Sequence, residues 1–223
     1  MVDVATNLSN IQQNIRQACE NANRNPEDIR LIAVTKYVTI ERAKEAISAG
    51  IDNLGENRNE GFLEKYNEIQ DQAKWHFIGS LQSRKVKDII DQIDYIHSLD
   101  RKSLAKEINK RATHPVHCFV QVNVSGEESK HGISPDEVIT FIKSLSVYEN
   151  IKVVGLMTMA PHVEDPENVR FVFKNLRNLR DKIKEEALPH APCEWLSMGM
   201  SNDYHVAIEE GATHVRIGSK LVG

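Results

Sequence analysis

Short runs of β-branched and aromatic residues alternate with segments of helical periodicity along this chain, and the alternation recurs about eight times in 223 residues. The β-type runs fall at 30–36, 52–57, 75–79, 95–97, 116–123, 152–157, 194–198 and 213–218. Between them the spacing predicts helices over 39–49, 58–73, 83–92 and 98–112, the last capped within Ser98 to Asp100. Further helices are expected from Ser134, from Pro166 past Lys184, and over 203–210. Strict strand–helix alternation requires a wholly parallel sheet with helical crossovers, which leaves two architectures, an open doubly wound sheet and a closed barrel. Eight units match a (β/α)8 TIM barrel, and the chain is long enough to build one as a single domain over 1–223. An extra helix over 6–23, with Leu8, Ile11, Ile15 and Ala18 at helical spacing and Pro26 beyond it, precedes the first strand. It is expected either to form an added layer or to plug the bottom of the fold.

In a barrel the strand ends meet at one mouth, so Lys36, Glu56, Asn57, Gly79, His97, Asn123, Met157, Ser197 and Gly218 are expected around it. Lys36 ends the first buried run. A lysine there is expected to look into a partly dry pocket, where desolvation favours the free amine that condenses with an aldehyde. The plainer reading is that Lys36 marks the strand's exit into solvent. A second signal comes from Ser197-Met-Gly-Met-Ser201-Asn202 and from Arg216-Ile-Gly218-Ser219, which follow the seventh and eighth runs, where barrels commonly bind phosphate. Small residues there admit backbone N–H groups to an anion, and Ser201, Asn202 and Ser219 add side-chain donors. Tight turns alone would also explain them. A phosphate cradle opposite an aldehyde-reactive lysine fits pyridoxal 5′-phosphate. Arg216 alternates with Val215 and Ile217 and so points inward; beside a pyridine nitrogen it would disfavour protonation of the ring, although an ion pair with Glu56 is an equal alternative.

Composition narrows the function. A net charge of −4 argues against a nucleic-acid surface, and basic runs such as Arg84 to Lys87 are offset by Asp88 and Asp91. No apolar run is long enough for a membrane span, and the start of the chain lacks the pattern of a signal peptide, so a cytoplasmic protein is expected. Cys19, Cys118 and Cys193 are scattered, which suits reduced thiols, and nine histidines form no metal-binding spacing.

Several motifs together resemble the pyridoxal phosphate homeostasis proteins, the YggS/PROSC family. They are Ala33-Val-Thr-Lys36, Gly55-Glu-Asn57, Trp75-His-Phe-Ile-Gly79 with Leu81-Gln82, Val122-Asn-Val-Ser125, Gly155-Leu-Met157, Leu196-Ser-Met-Gly-Met-Ser201 and Val215-Arg-Ile-Gly218. The resemblance implies a barrel like the N-terminal domain of alanine racemase and an imine on Lys36. It also implies phosphate contacts from Ser201, Asn202, Gly218 and Ser219, and a pyridine-nitrogen partner at Arg216; Asn57, in the matching strand-end motif, joins the expected cofactor-binding set. The sequence departs from the commonest family form at Asn202, where Ser or Thr is frequent, and at Ser80, where His is common.

Alanine racemase takes a second base from an added β-domain, and this chain ends at Gly223, directly after the last strand run. The leading expectation is therefore a monomeric protein that binds, buffers or delivers the cofactor, with apo-enzymes as acceptors and without vigorous turnover. A small racemase or lyase using His76 or Tyr37 as second base, and a lysine-imine aldolase for sugar phosphates, are the rivals. Lys130, in the polar loop 125–132, is expected to be a solvated charge or an aid to cofactor release.

Overall fold

The computed structural model describes residues 3–127 and 131–223. Among them eight parallel strands close into one barrel in the order β1-β2-β3-β4-β5-β6-β7-β8. The strands are β1 Arg30–Val34, β2 Asn53–Glu56, β3 Lys74–Phe77, β4 Tyr95–Leu99, β5 Val116–Gln121, β6 Ile151–Met157, β7 Trp195–Met200 and β8 His214–Ile217. Closure is carried by β1 against β8, with Ile32 opposite Arg216 and Ala33 opposite Ile217. The helices are α1 Val4–Asn21, α2 Ile40–Ser48, α3 Asn59–Ile69, α4 Lys102–Arg111, α5 Val138–Ser144, α6 Arg170–Glu185, α7 Tyr204–Glu209 and α8 Ser219–Val222. None of these helices is long and apolar enough to cross a membrane.

The helices bury their apolar faces on the outside of the barrel, which is why strands of nearly continuous apolar residues are stable there. α1 settles one open question: it lies outside against α7 and α8, as an added layer and not a plug. Val4, Leu8, Ile11, Ile15 and Ala18 are its buried stripe. Asn14 Nδ2 donates to Tyr204 Oη at 3.0 Å and Asn7 Nδ2 to the Leu221 carbonyl at 3.0 Å, fixing it to both neighbours.

Two expected elements differ. The helix over 83–92 is a 3₁₀ segment, Ser83–Asp88, followed by turns. Val86, Ile89, Ile90 and Ile93 are all buried, as helical spacing predicts, but Ile89 turns to φ −133° and breaks the ladder. Tertiary packing of the four side chains overrides the local preference. Ser98 to Asp100 caps nothing: β4 runs to Leu99, Arg101 is the extended residue before α4, and no side chain caps that helix.

The barrel interior is not a plain apolar core. Rings from strands that are not neighbours approach one another, His76 of β3 and His214 of β8 with centroids 6.3 Å apart, so they lie inside the barrel. Tyr95, Phe119 and Trp195 fill the same space, with Val154 and Met157. The Arg30 guanidinium lies 4.9 Å from the Trp195 ring.

Candidate cofactor site

At the carboxyl ends of the strands opens a cavity of about 450 Å³. Lys36, Asn57, Ser201, Asn202, Arg216, Gly218 and Ser219 all line it. They come from β1, β2, β7 and β8, and only barrel closure makes them neighbours.

Lys36 is the first residue beyond Thr35, where β1 has left the sheet. The Thr35 hydroxyl donates to Glu56 Oε1 at 2.7 Å, and the same carboxylate pairs with Lys65 Nζ at 3.0 Å. Glu56 is therefore committed to Lys65, and the alternative of an ion pair with Arg216 is corrected. Lys36 is exposed, so the expected desolvated setting is also corrected. Strand β1 ends at Val34, two residues earlier than expected, and the chain turns outward through Tyr37, whose φ of +69° is rare for a bulky side chain. Tyr37 is 76% exposed, with the Lys36 amine 5.7 Å from its ring centroid.

Arg216 points into the barrel, as its alternation predicts, and is 4% exposed. Its Nη1 donates to Ser197 Oγ at 2.5 Å and its Nη2 to the Thr158 carbonyl at 3.0 Å. Among the described residues no carboxylate forms an ion pair with it, which leaves burial to lower its pKa to about 10 against an opposing pull from Asp203. Asp203 follows β7, the strand paired with β8: its Oδ1 accepts the Met200 N–H at 2.6 Å and closes the turn after β7. Burial is the main cause that pushes its carboxyl pKa up. Gly199 sits at φ +92° inside β7, where the pairing with β8 shifts register, and a Cβ there would come within 2.7 Å of the Ala207 methyl, so this irregularity needs glycine. The turn brings Ser201 Oγ to 3.4 Å from Ser219 Oγ, while Asn202 Nδ2 lies 3.3 Å from His162 Nδ1.

Gln121, Met159, His162 and Asp203 also line the cavity, and sequence reasoning had not singled them out for it; His131, from the polar loop 125–132 expected at the mouth, lines it too. The loop 159–163 carries no regular spacing that would have marked it. The proposed second bases are not there: His76 is wholly buried in the barrel, and Tyr37 opens onto the neighbouring cleft with Arg58 and Lys65. Lys130 lies outside the described residues. Among the described residues no group of three His, Cys, Asp or Glu side chains is set to hold a metal ion.

The donor set has a clear chemical sense. Hydroxyls and an amide at one wall suit an anionic oxygen cluster, a buried guanidinium suits a ring nitrogen that accepts, and an amine at the rim suits a carbonyl. Residues 6–223 match the family model described as "Alanine racemase, N-terminal domain". The chain is 45% identical over 223 residues to the pyridoxal phosphate homeostasis protein of Aquifex aeolicus (strain VF5), covering 97% of this chain and 96% of that one. It superposes on PipY of Synechococcus elongatus PCC7942 with PLP bound at a TM-score of 0.85, 28% identity, and coverage of 99% and 100%. Against alanine racemase from Corynebacterium glutamicum the TM-score is 0.73 at 14% identity, covering 99% of this chain and 60% of that one, which shows a common barrel. The chain belongs to the pyridoxal phosphate homeostasis protein family.

Proposed function

We propose that this protein, as a single barrel domain over 1–223, binds pyridoxal 5′-phosphate and serves its intracellular homeostasis by buffering or delivering it. The observation that carries the reading is the convergence of Lys36, Arg216, Ser201, Asn202 and Ser219 on one cavity. The chemistry the cofactor supplies when bound is a reversible condensation of its aldehyde with a primary amine, with loss of water.

Lys36 is the amine in this reading, and its exposure suits a site that must both take up and release its ligand. Ser201, Asn202, Gly218 and Ser219 hold the phosphate. Arg216, positively charged and without a carboxylate partner among the described residues, keeps a proton off the pyridine nitrogen and so weakens carbanion stabilisation. Asn57 forms part of the wall beside Lys36. These features support binding over turnover, as does the homeostasis role carried in the relatives' name. A cytoplasmic monomer that passes the cofactor to apo-enzymes belongs to the same reading.

Borohydride reduction of the loaded protein followed by peptide mapping is expected to label Lys36, and Lys36→Ala to lose the label. A label found chiefly on another lysine of the wild-type protein would overturn the assignment, and turnover of free amino acids at enzyme-like rates would overturn the non-catalytic role.

A further inference from the structure

Buried side chains join the cavity to the opposite end of the barrel by an unbroken series of hydrogen bonds. Arg216 Nη1 donates to Ser197 Oγ at 2.5 Å, and that hydroxyl is 2.8 Å from His97 Nδ1. His97 Nε2 lies 2.9 Å from His76 Nδ1, and His76 Nε2 lies 2.8 Å from Asn53 Oδ1. The members come from β8, β7, β4, β3 and β2, so the series crosses the barrel interior. Arg216 is 4% exposed, Asn53 is 6% exposed, and Ser197, His97 and His76 have no exposure.

The two ends fix the direction of every link. A guanidinium can only donate. At the far end Asn53 Nδ2 donates to the Asp52 carboxylate at 2.6 Å, so Asn53 Oδ1 is the acceptor that faces His76. His76 Nε2 therefore carries the hydrogen. Burial, aided by the charge of Arg30, lowers its pKa to about 3, and burial with the nearby His76, Arg216 and His214 lowers that of His97, so both rings are neutral at ordinary pH. A neutral His76 has a bare Nδ1, which accepts from His97 Nε2–H. The bare His97 Nδ1 then accepts the Ser197 hydroxyl hydrogen, which leaves the Ser197 lone pairs for Arg216.

We propose that this one-way hydrogen-bond chain positions Arg216 toward the cofactor, with His97 and His76 as positioning residues held as neutral Nε2–H tautomers. The role rests on the binding function proposed above; the tautomers do not. Donation by Ser197 to His97 polarises the hydroxyl and makes its oxygen a stronger acceptor for Arg216. The chain transmits orientation and carries no proton, because the Asn53 amide oxygen is not a proton store at ordinary pH. Arg216 thus remains the charged terminus, and no proton is supplied to the ring nitrogen from below.

Two measurements test this. In the first, which needs no cofactor, imidazole nitrogen–proton correlation spectra of the histidine-labelled protein near neutral pH are expected to show protonated Nε2 and bare Nδ1 at both His76 and His97. An Nδ1–H tautomer or an imidazolium at either position overturns the proposal. In the second, nitrogen-15-labelled pyridoxal 5′-phosphate is bound to the wild type, Ser197→Ala and His97→Phe; the phenyl ring keeps the stacking that His97 makes on Phe119 at 4.4 Å between centroids. The pyridine resonance is expected to move toward its protonated position in both variants, with borohydride labelling of Lys36 retained, and His97→Gln is expected to return it part of the way. A resonance unchanged in both variants overturns the positioning role. If the wild type takes up no cofactor, that role falls with the binding function, whereas the tautomer result stands or falls on its own.

Discussion

Lowering the pH from about 7.5 to about 5 is expected to remove about 2 kcal/mol of folding stability through His76 alone. The pKa of His76 is lowered to about 3 in the folded barrel from 6.5 for a free imidazole, because burial and the charge of Arg30 oppose its protonation. A depressed folded-state pKa contributes stability that is complete above 6.5 and is lost as the pH falls toward 3, since below 6.5 the unfolded chain binds a proton that the folded one refuses. About 1.5 pH units below the free value, at about 1.36 kcal/mol per unit, gives the figure of about 2 kcal/mol. His97 and His214, also driven down chiefly by burial, act with the same sign, so the whole protein is expected to lose more than His76 alone contributes. Urea unfolding followed by circular dichroism at the two pH values measures the loss. In His76→Gln, whose amide can still reach Asn53, the loss is expected to be smaller by about 2 kcal/mol. An equal loss in the variant and the wild type would refute the claim that a buried neutral His76 resists protonation.

Other consequences are as direct. Lys65→Met strands the Glu56 carboxylate, 2% exposed, and is expected to cost about 3–5 kcal/mol in denaturant unfolding. Adding Glu56→Gln, which still accepts from the Thr35 hydroxyl, is expected to recover most of it; no recovery would show that Lys65 matters through its packed methylenes and not through its charge. Gly155→Ala would drive a methyl into the Trp195 carbonyl on the paired strand, and a cost of about 1–3 kcal/mol or more is expected, read as a melting temperature lower by about 2–4 °C per kcal/mol. The Ser201→Ala and Ser219→Ala pair is expected to weaken pyridoxal 5′-phosphate binding by at least about a hundredfold at about 1.5–3 kcal/mol per charge-assisted contact. Dialysis binding of pyridoxal, which lacks the phosphate, should be unchanged; an equal loss for both ligands would place the anion elsewhere.

The order of elements was legible in the chain because a parallel strand buried on both faces must be apolar throughout, and a crossover helix must repeat at helical spacing. The same local logic predicted that Arg216 points inward, since Val215 and Ile217 occupy the other side of β8; the small residues from Ser197 to Met200, by contrast, prolong β7, and the turn begins only at Ser201. Lys36 could be placed at a strand end for the same reason. What the sequence could not supply was any pairing between residues far apart along it. Glu56 was offered only as a partner for Arg216, and its pairing with Lys65 follows from α3 packing back over β2. His97 and Ser197 were expected at the mouth and His76 was offered as a second base; all three are wholly buried, and their connection to Arg216 exists only because barrel closure brings β3, β4, β7 and β8 around one interior. The setting of Lys36 was decided in the same way: sequence fixes its place in the chain, but whether its amine is dry or wet depends on where β1 leaves the sheet and on the turn at Tyr37. Local chemistry determines which residues face inward; the stagger and closure of the barrel determine which of them meet.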